Sequence, residues 1–240
     1  MRQVVVTGGG TGIGFAIAGE FARAGERVTI TGRREPVLKD AAAELGADYV
    51  CFDASDPAAV SAALGQLPEQ VDVLVNNAGG NTDFDRDPVR DGDLRGLAAA
   101  WRANLDANLL SSVLVTAALA PRLAANARII SVSSIAARRG AGSYGAAKAA
   151  VEAWTADVAG EFGPRGITAN VISPGLTLGS EFFRGRLTDE RQERLVRETK
   201  TGRPGTTADI AATVTFLASP AAGHITGQVI YVNGGAYLGR

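Results

Sequence analysis

Reactive and metal-binding side chains are scarce in this chain. Its 240 residues hold one cysteine, one histidine, one methionine and three lysines. The lone cysteine, Cys51, cannot close an internal disulfide, and its place in the apolar run DYVCF predicts a buried, structural thiol. The lone histidine, His224, cannot assemble a metal cluster, so no metal is expected, and it reads as a loop or interface residue. An excess of one charge is also lacking. Lys and Arg number 24 against 25 Asp and Glu, well mixed, which excludes the basic face of a nucleic-acid binder. No apolar run reaches membrane-spanning length, so no membrane partner is expected. The first residues, MRQVVVTGGG, enter a strand at once with no signal peptide. A cytoplasmic protein is the expectation.

What is there is a strict alternation. Hydrophobic residues make up 46% of the chain, enough to bury one α/β core, and a single domain over 1–240 is expected. Strand-like runs fall at 3–7, 27–31, 48–52, 71–75, 127–132, 167–172 and 228–232. Alanine-rich helical patterns lie near 13–24, 35–45, 56–66, 101–124, 143–163 and 207–218. Seven short, nearly all-apolar strands separated by helices predict a doubly wound, Rossmann-type parallel sheet with helices on both faces. Two segments break the alternation: a polar, acidic connection over 79–100 and an arginine-rich insertion over 176–205. Long connections in compact domains are often functional.

The first strand runs straight into TGGGTGIG (7–14) and then a helix. Gly8, Gly12 and Gly14, with Thr11 and Ile13 between them, let backbone N–H groups approach an anion, and the helix aims its positive end at the same place. That predicts a pyrophosphate site; a ligand-free glycine turn is the plainer alternative. The second strand ends TGRRE, with Gly32 where an acid would grip the ribose of NAD. Arg33, and more weakly Arg34, suit a 2′-phosphate, so NADPH/NADP+ is the expected cofactor, with Thr11 adding a hydroxyl. Both arginines would otherwise be solvated charges. Asp53, after the third strand, is placed to accept from the adenine amino group; Ser55 or Asp56 suits the helix cap there better.

These features assemble with others in a fixed order: NNAG at 76–79, Asn108, Ser134, Tyr144 with Lys148 four residues on, and Pro174-Gly175. In this the chain resembles the short-chain dehydrogenases/reductases over essentially its whole length. It is most similar to 3-oxoacyl-carrier-protein reductases and secondary-metabolite ketoreductases. The resemblance implies a reductase that delivers hydride to a 3-oxoacyl- or polyketide-like ketone. Oxidation of an alcohol by the same residues, or a non-catalytic NADP(H) sensor, is the alternative.

Tyr144 and Lys148 share one helix face. A neighbouring ammonium favours the phenolate and is expected to lower a tyrosine pKa that is ordinarily about 10. By the family's mechanism Tyr144 donates the proton, Lys148 also holds the nicotinamide ribose, Ser134 orients the substrate oxygen, and Asn108 completes a proton relay. Asn108 rather than Asn104, and Ser134 rather than Ser133, match the family's spacing. Asn77, Ala78 and Gly79 are implied beside the adenine-side ribose, with Asn76 in the core. Thr177 and Ser180 stand near the family's carboxamide contact, whose usual position here is Gly179. The loop 134–144 is shorter than in most members, and Arg138 and Arg139 within it face either substrate or solvent.

Residues 176–205 look like the family's substrate lid. Phe182, Phe183, Leu187, Leu195 and Val196 suit an apolar substrate, and Arg184, Arg186, Arg191, Arg194 and Arg197 an acidic one such as a thioester. A charged helix face showing Glu190, Glu193 and Glu198 to water explains the same pattern. Arg165 matches one of two carrier-docking arginines; the other position holds Ala125. A homotetramer, through the helices that carry Asn108 and Tyr144, is the assembly the resemblance implies, with a dimer as the alternative.

Overall fold

The computed structural model describes residues 1–239. β1 (Gln3–Thr7) feeds α1 (Gly12–Arg23), β2 (Arg27–Gly32) feeds α2 (Glu35–Leu45), and β3 (Asp48–Cys51) feeds α3 (Pro57–Ala63). After β4 (Val71–Asn76) comes the long connection, then α4 (Leu94–Leu105), a π-helical turn (Asp106–Leu110) and α5 (Ser111–Leu119). β5 (Leu123–Val132) leads through the short α6 (Ala136–Arg139) into α7 (Gly142–Phe162). β6 (Thr168–Pro174) precedes a ribbon of β7 (Thr177–Leu178) and β8 (Gly205–Thr206), which flanks α8 (Asp189–Glu198). α9 (Thr207–Leu217) and β9 (Val229–Val232) follow.

Seven of these strands form one parallel sheet, in the order β3-β2-β1-β4-β5-β6-β9. Alternate side chains feed opposite layers. Val4 and Val6 join Ile17, Phe21, Ile30 and Ile210 on one face, while Val5 joins Leu74, Leu119, Ile129 and Phe162 on the other. Burial on both faces is why these strands read as unbroken apolar runs. Fully enclosed side chains such as Phe21 and Ile30 each stabilise the fold by roughly 1.5–3 kcal/mol. Strand order reverses between β1 and β4, and a crevice opens at their C-terminal ends, as such a switch point dictates.

Three expectations need correction. Cys51 is exposed, not buried; β3 is an edge strand, so Val50 takes the inward position and the next residue turns out. The helix expected over 101–124 starts at Leu94, where Asp93 caps it by accepting from Gly96 N, and stops at Leu119 before the turn that holds Pro121. The helical stretch Leu94–Arg122, 29 residues, is long and apolar enough to cross a bilayer by length and composition alone, contrary to the sequence expectation. Here Val115 and Leu119 of that stretch pack into the core.

The π turn interrupts this helix at the site. A π turn leaves main-chain carbonyls without their α-helical partners. Side chains take them up: Asn108 Nδ2 donates to Asn104 O (2.9 Å), Ser111 Oγ to Ala107 O (2.8 Å) and Ser112 Oγ to Asn108 O (3.4 Å).

Candidate active site

The glycine loop is built by close packing. Gly8 and Gly12 have φ of 65° and 57°, a left-handed conformation that favours glycine. Gly14 is required by space instead: a Cβ there would lie 2.2 Å from the Gly8 carbonyl oxygen and 2.5 Å from Asn77 Nδ2. Thr7, which sequence reasoning passed over, ties this loop to the next. Its hydroxyl accepts from the N–H groups of Asn77 and Ala78, both at 3.0 Å, while Asn77 Nδ2 donates back to the carbonyls of Thr7 and Gly8. Asn76 lies in the core, as expected, donating to Thr116 Oγ1 at 2.8 Å. No side chain caps the start of α1, so its first N–H groups are left to face the crevice. Gly14→Ala is expected to cost about 1–3 kcal/mol by overpacking. Thermal unfolding checks this, and an unchanged melting temperature would refute it.

At the adenosine end, Arg33 and Arg34 stand exposed beyond β2. Asp53 Oδ1 accepts from Ser55 N (2.9 Å) and Ser55 Oγ (2.7 Å), and Oδ2 lies 3.8 Å from Arg33 Nη1. Partial burial works to raise the Asp53 pKa, but Ser55 and Arg33 together hold it below the usual range. Asp56, accepting from Ala58 N, is the cap of α3. Arg34 does not stand free. Its guanidinium donates to Glu181 Oε2 at 2.7 Å, and Thr11 Oγ1 donates to the same oxygen at 3.2 Å. The carboxylate that meets Arg34 and Thr11 thus comes not from the end of β2, where Gly32 stands, but from far along the chain.

At the other end, Tyr144 and Lys148 are both buried on α7. The Tyr144 hydroxyl is hydrogen-bonded to Ser134, whose Oγ also accepts from Ala136 N at 3.2 Å. Lys148 Nζ donates to the Val132 carbonyl at 2.8 Å and lies 6.0 Å from the Tyr144 ring centre. The expected lowering of the tyrosine pKa is not what this geometry gives. Burial pushes Tyr144 up to about 12, against the opposing pull of Ser134, and burial pulls Lys148 down to about 8.

Ser133 and Ser134 divide their work. Ser133 Oγ turns inward to Lys148 O (3.1 Å) and to Glu152 Oε1 (3.0 Å), whereas Ser134 faces the crevice. Glu152, buried one turn beyond Lys148, pairs with Arg138 at 2.7 Å; Arg138 stays partly open to solvent and does not line the cleft. Arg139 pairs with Glu198 of α8 at 2.5 Å. The asparagines divide likewise. Asn104 donates to Asp83 Oδ1 (3.0 Å) and Ser143 Oγ (2.9 Å), bracing the connection. Asn108 grips Gly80 on both sides, accepting from its N–H (3.0 Å) and donating to its carbonyl (2.9 Å). A Cβ on Gly79 would strike Asn108 Oδ1 at 2.5 Å and approach Lys148 Nζ at 3.3 Å, so Asn108, Gly79 and Lys148 are in contact range.

The chain from Pro174 to Arg184 closes the crevice from above. Thr177 is buried and donates to Gly175 O, while Ser180 donates to Thr177 O, both at 3.3 Å. Ser180 sits on the glycine loop: a Cβ on Gly12 would meet its Cα at 3.2 Å. Phe182 packs against Tyr144 (5.5 Å between ring centres), Phe84 (5.7 Å) and Phe183 (5.0 Å). Arg184 pairs with Asp85 across the opening, and Arg191 lies 5.4 Å over the Phe183 ring. Arg165 lies elsewhere, donating to the carbonyls of Ala120 (3.1 Å) and Leu123.

One cleft of about 1640 Å³ runs between these ends. It is lined by Gly8, Thr11, Gly12, Ile13, Arg33, Arg34, Asp53, Asn77, Ala78, Gly79, Ser134, Tyr144, Lys148, Pro174, Gly175, Thr177 and Ser180. Gly14 and Asn108 stand behind the lining. Uncapped helix N–H groups, two arginines at one end and a buried lysine at the other fit a phosphate-linked dinucleotide. The sequence profile of a family described as enoyl-(acyl-carrier-protein) reductase matches residues 8–237. A putative oxidoreductase of Mycobacterium tuberculosis is 37% identical over 98% of this chain and 97% of its own. The chain is a short-chain dehydrogenase/reductase. The 3-oxoacyl-(acyl-carrier-protein) reductase of Escherichia coli is 33% identical over 99% and 98% of the two chains. A short-chain dehydrogenase of Burkholderia cenocepacia, solved in complex with NADP, superposes with a TM-score of 0.84 at 32% identity, over 98% and 97% of the two chains. As a short-chain dehydrogenase/reductase it is a nicotinamide-dependent oxidoreductase. Thr7, Phe84, Glu152 and Glu181 are the site residues that no local motif announced.

Proposed function

We propose that this enzyme reduces a ketone to a secondary alcohol with NADPH, on a 3-oxoacyl- or polyketide-like substrate. The observation that carries the reading is the pair of hydrogen-bonded hydroxyls, Ser134 and Tyr144, beneath an aromatic wall at the lysine end of the cleft. Arg33 and Arg34 take the 2′-phosphate, and Asp53 the adenine amino group. The start of α1 with Gly8, Gly12 and Ile13 takes the pyrophosphate, and Asn77, Ala78 and Gly79 line the adenine-side ribose. Pro174, Gly175, Thr177 and Ser180 wall the nicotinamide side. The bound cofactor supplies a hydride to the carbonyl carbon.

The chain's own residues manage the oxygen. Ser134 donates to it and fixes its position. Tyr144, with its pKa pushed up to about 12, keeps its proton across the neutral range and gives it to the forming alkoxide, a far stronger base than a phenolate. Lys148, at about 8, is still mostly charged near neutrality and stabilises the phenolate left behind. Asn108 holds the 79–80 loop against Lys148 and serves the relay that returns a proton.

Phe84, Phe182, Phe183, Leu187 and Leu195 make the substrate side apolar, with Arg184 and Arg191 at its rim. Residues 176–205 act as the lid of a single domain. Arg165, engaged with main-chain carbonyls, gives no support to carrier docking, so a thioester or a free polyketide-like ketone is the substrate class we favour. Leu94, Leu97 and Trp101, exposed along α4, support assembly of copies, and a homotetramer in the cytoplasm is our reading.

NADPH consumption with a panel of 3-oxo thioesters and cyclic ketones tests the proposal. Turnover of secondary alcohols alone would overturn it. Arg33→Ala is expected to weaken NADPH about tenfold or more, the worth of a charge-assisted contact, and NADH less than twofold. Equal losses in a fluorescence titration would remove Arg33 from the 2′-phosphate site.

A further inference from the structure

The adenosine end already holds an anion from the chain itself. Glu181 Oε2 receives hydrogen bonds from Arg34 (2.7 Å) and Thr11 (3.2 Å), two of the groups expected to take the cofactor's 2′-phosphate. The arrangement is set by its surroundings. Ser180 rests on Gly12, and Phe182 is held among Phe84, Tyr144 and Phe183, so residue 181 is presented to Arg34 from both sides. Arg34 has no other carboxylate partner among the described residues. A phosphate dianion brought to Arg34 and Thr11 meets a carboxylate already there, and like charges at such a distance repel.

We propose that Glu181 competes with the 2′-phosphate for Arg34 and Thr11, and so sets how strongly the enzyme prefers NADP(H) over NAD(H). The proposal rests on the reading of Arg33 and Arg34 as the 2′-phosphate site. Its size follows from exposure. Both partners of the pair are more than half exposed, at 58% and 60%. An exposed pair is weak, so the competition is a tuning of affinity and not a block. NAD(H) carries no 2′-phosphate to meet this carboxylate, so its affinity is little affected.

Glu181→Gln keeps the shape and removes the charge, at an exposed position where folding is not at risk. Calorimetric titrations of the wild type and Glu181→Gln with NADP+ and NAD+, which differ only in the 2′-phosphate, decide the matter. NADP+ is expected to bind about three- to tenfold more tightly to Glu181→Gln, with NAD+ unchanged within twofold. An unchanged NADP+ affinity, an equal gain for both dinucleotides, or a loss confined to NAD+ would each overturn the competition. The wild-type titrations judge the underlying reading separately. A wild type that binds both dinucleotides alike, with Arg33→Ala weakening both alike, would defeat the 2′-phosphate site itself. A wild type that prefers NADP+, with Glu181→Gln unaltered, would defeat only the role of Glu181.

Discussion

Replacing Tyr144 by phenylalanine is expected to cut turnover by on the order of 10²–10⁴-fold, the range of a lost general acid. NADPH binding should stay within twofold, because only one hydroxyl is removed. The ring keeps its contact with Phe182, and Ser134 keeps the N–H of Ala136 as a partner. Single-turnover measurement at saturating NADPH separates the chemical step from binding. A variant that reduces ketones at near the wild-type rate would remove Tyr144 from the reaction. One that loses rate and NADPH affinity together would make its role structural.

The second large effect concerns Lys148, and it has two parts of opposite sign. Lys148→Met should lose turnover by at least about 10²-fold, since only the Ser134 hydrogen bond then stabilises the tyrosine phenolate. It should also melt higher than the wild type at pH 7. Burial lowers the lysine pKa from 10.5 to about 8, and at ~1.4 kcal/mol per unit the charged form costs the fold about 3 kcal/mol. Leaving the Val132 carbonyl without its donor returns about 1 kcal/mol or more of that. The pH dependence follows from the same shift. Below about 8 the lysine is protonated in both states and the penalty is full. Between about 8 and 10.5 the unfolded chain binds the extra proton, so wild-type stability rises with pH across that window. Lys148→Met should lack this rise. Denaturant unfolding of both proteins at pH 7 and pH 9.5 measures it, and parallel pH profiles would sink the argument.

The legible parts of this protein were those written locally. β1, β4 and β6 are buried on both faces, so their apolar runs could not be mistaken. The Gly8–Gly14 loop and the Tyr144–Lys148 pair lie within single elements, where spacing alone sets geometry. What escaped depends on residues distant in sequence. Glu181 meets Arg34 across 147 positions, and Arg139 meets Glu198 across 59. The direction of the Tyr144 shift escaped because the spacing that suggested a lysine beside it says nothing of burial under Phe182, or of a Val132 carbonyl that occupies the ammonium. Cys51 was misread because an edge strand and a central strand look alike in a five-residue window. The roles of Ser133 and Glu152 were hidden because an inward serine and a buried acid carry no motif.

The π turn at Asp106–Leu110 has a consequence for assembly as well as for Asn108. Each residue advances a helix by roughly 100°, so one extra residue in a turn puts the two halves of a long helix out of phase. α4 can therefore point Leu94, Leu97 and Trp101 outward while α5 points Val115 and Leu119 into the core. The outer half is free to vary toward whatever it meets, and the inner half still keeps the sheet covered.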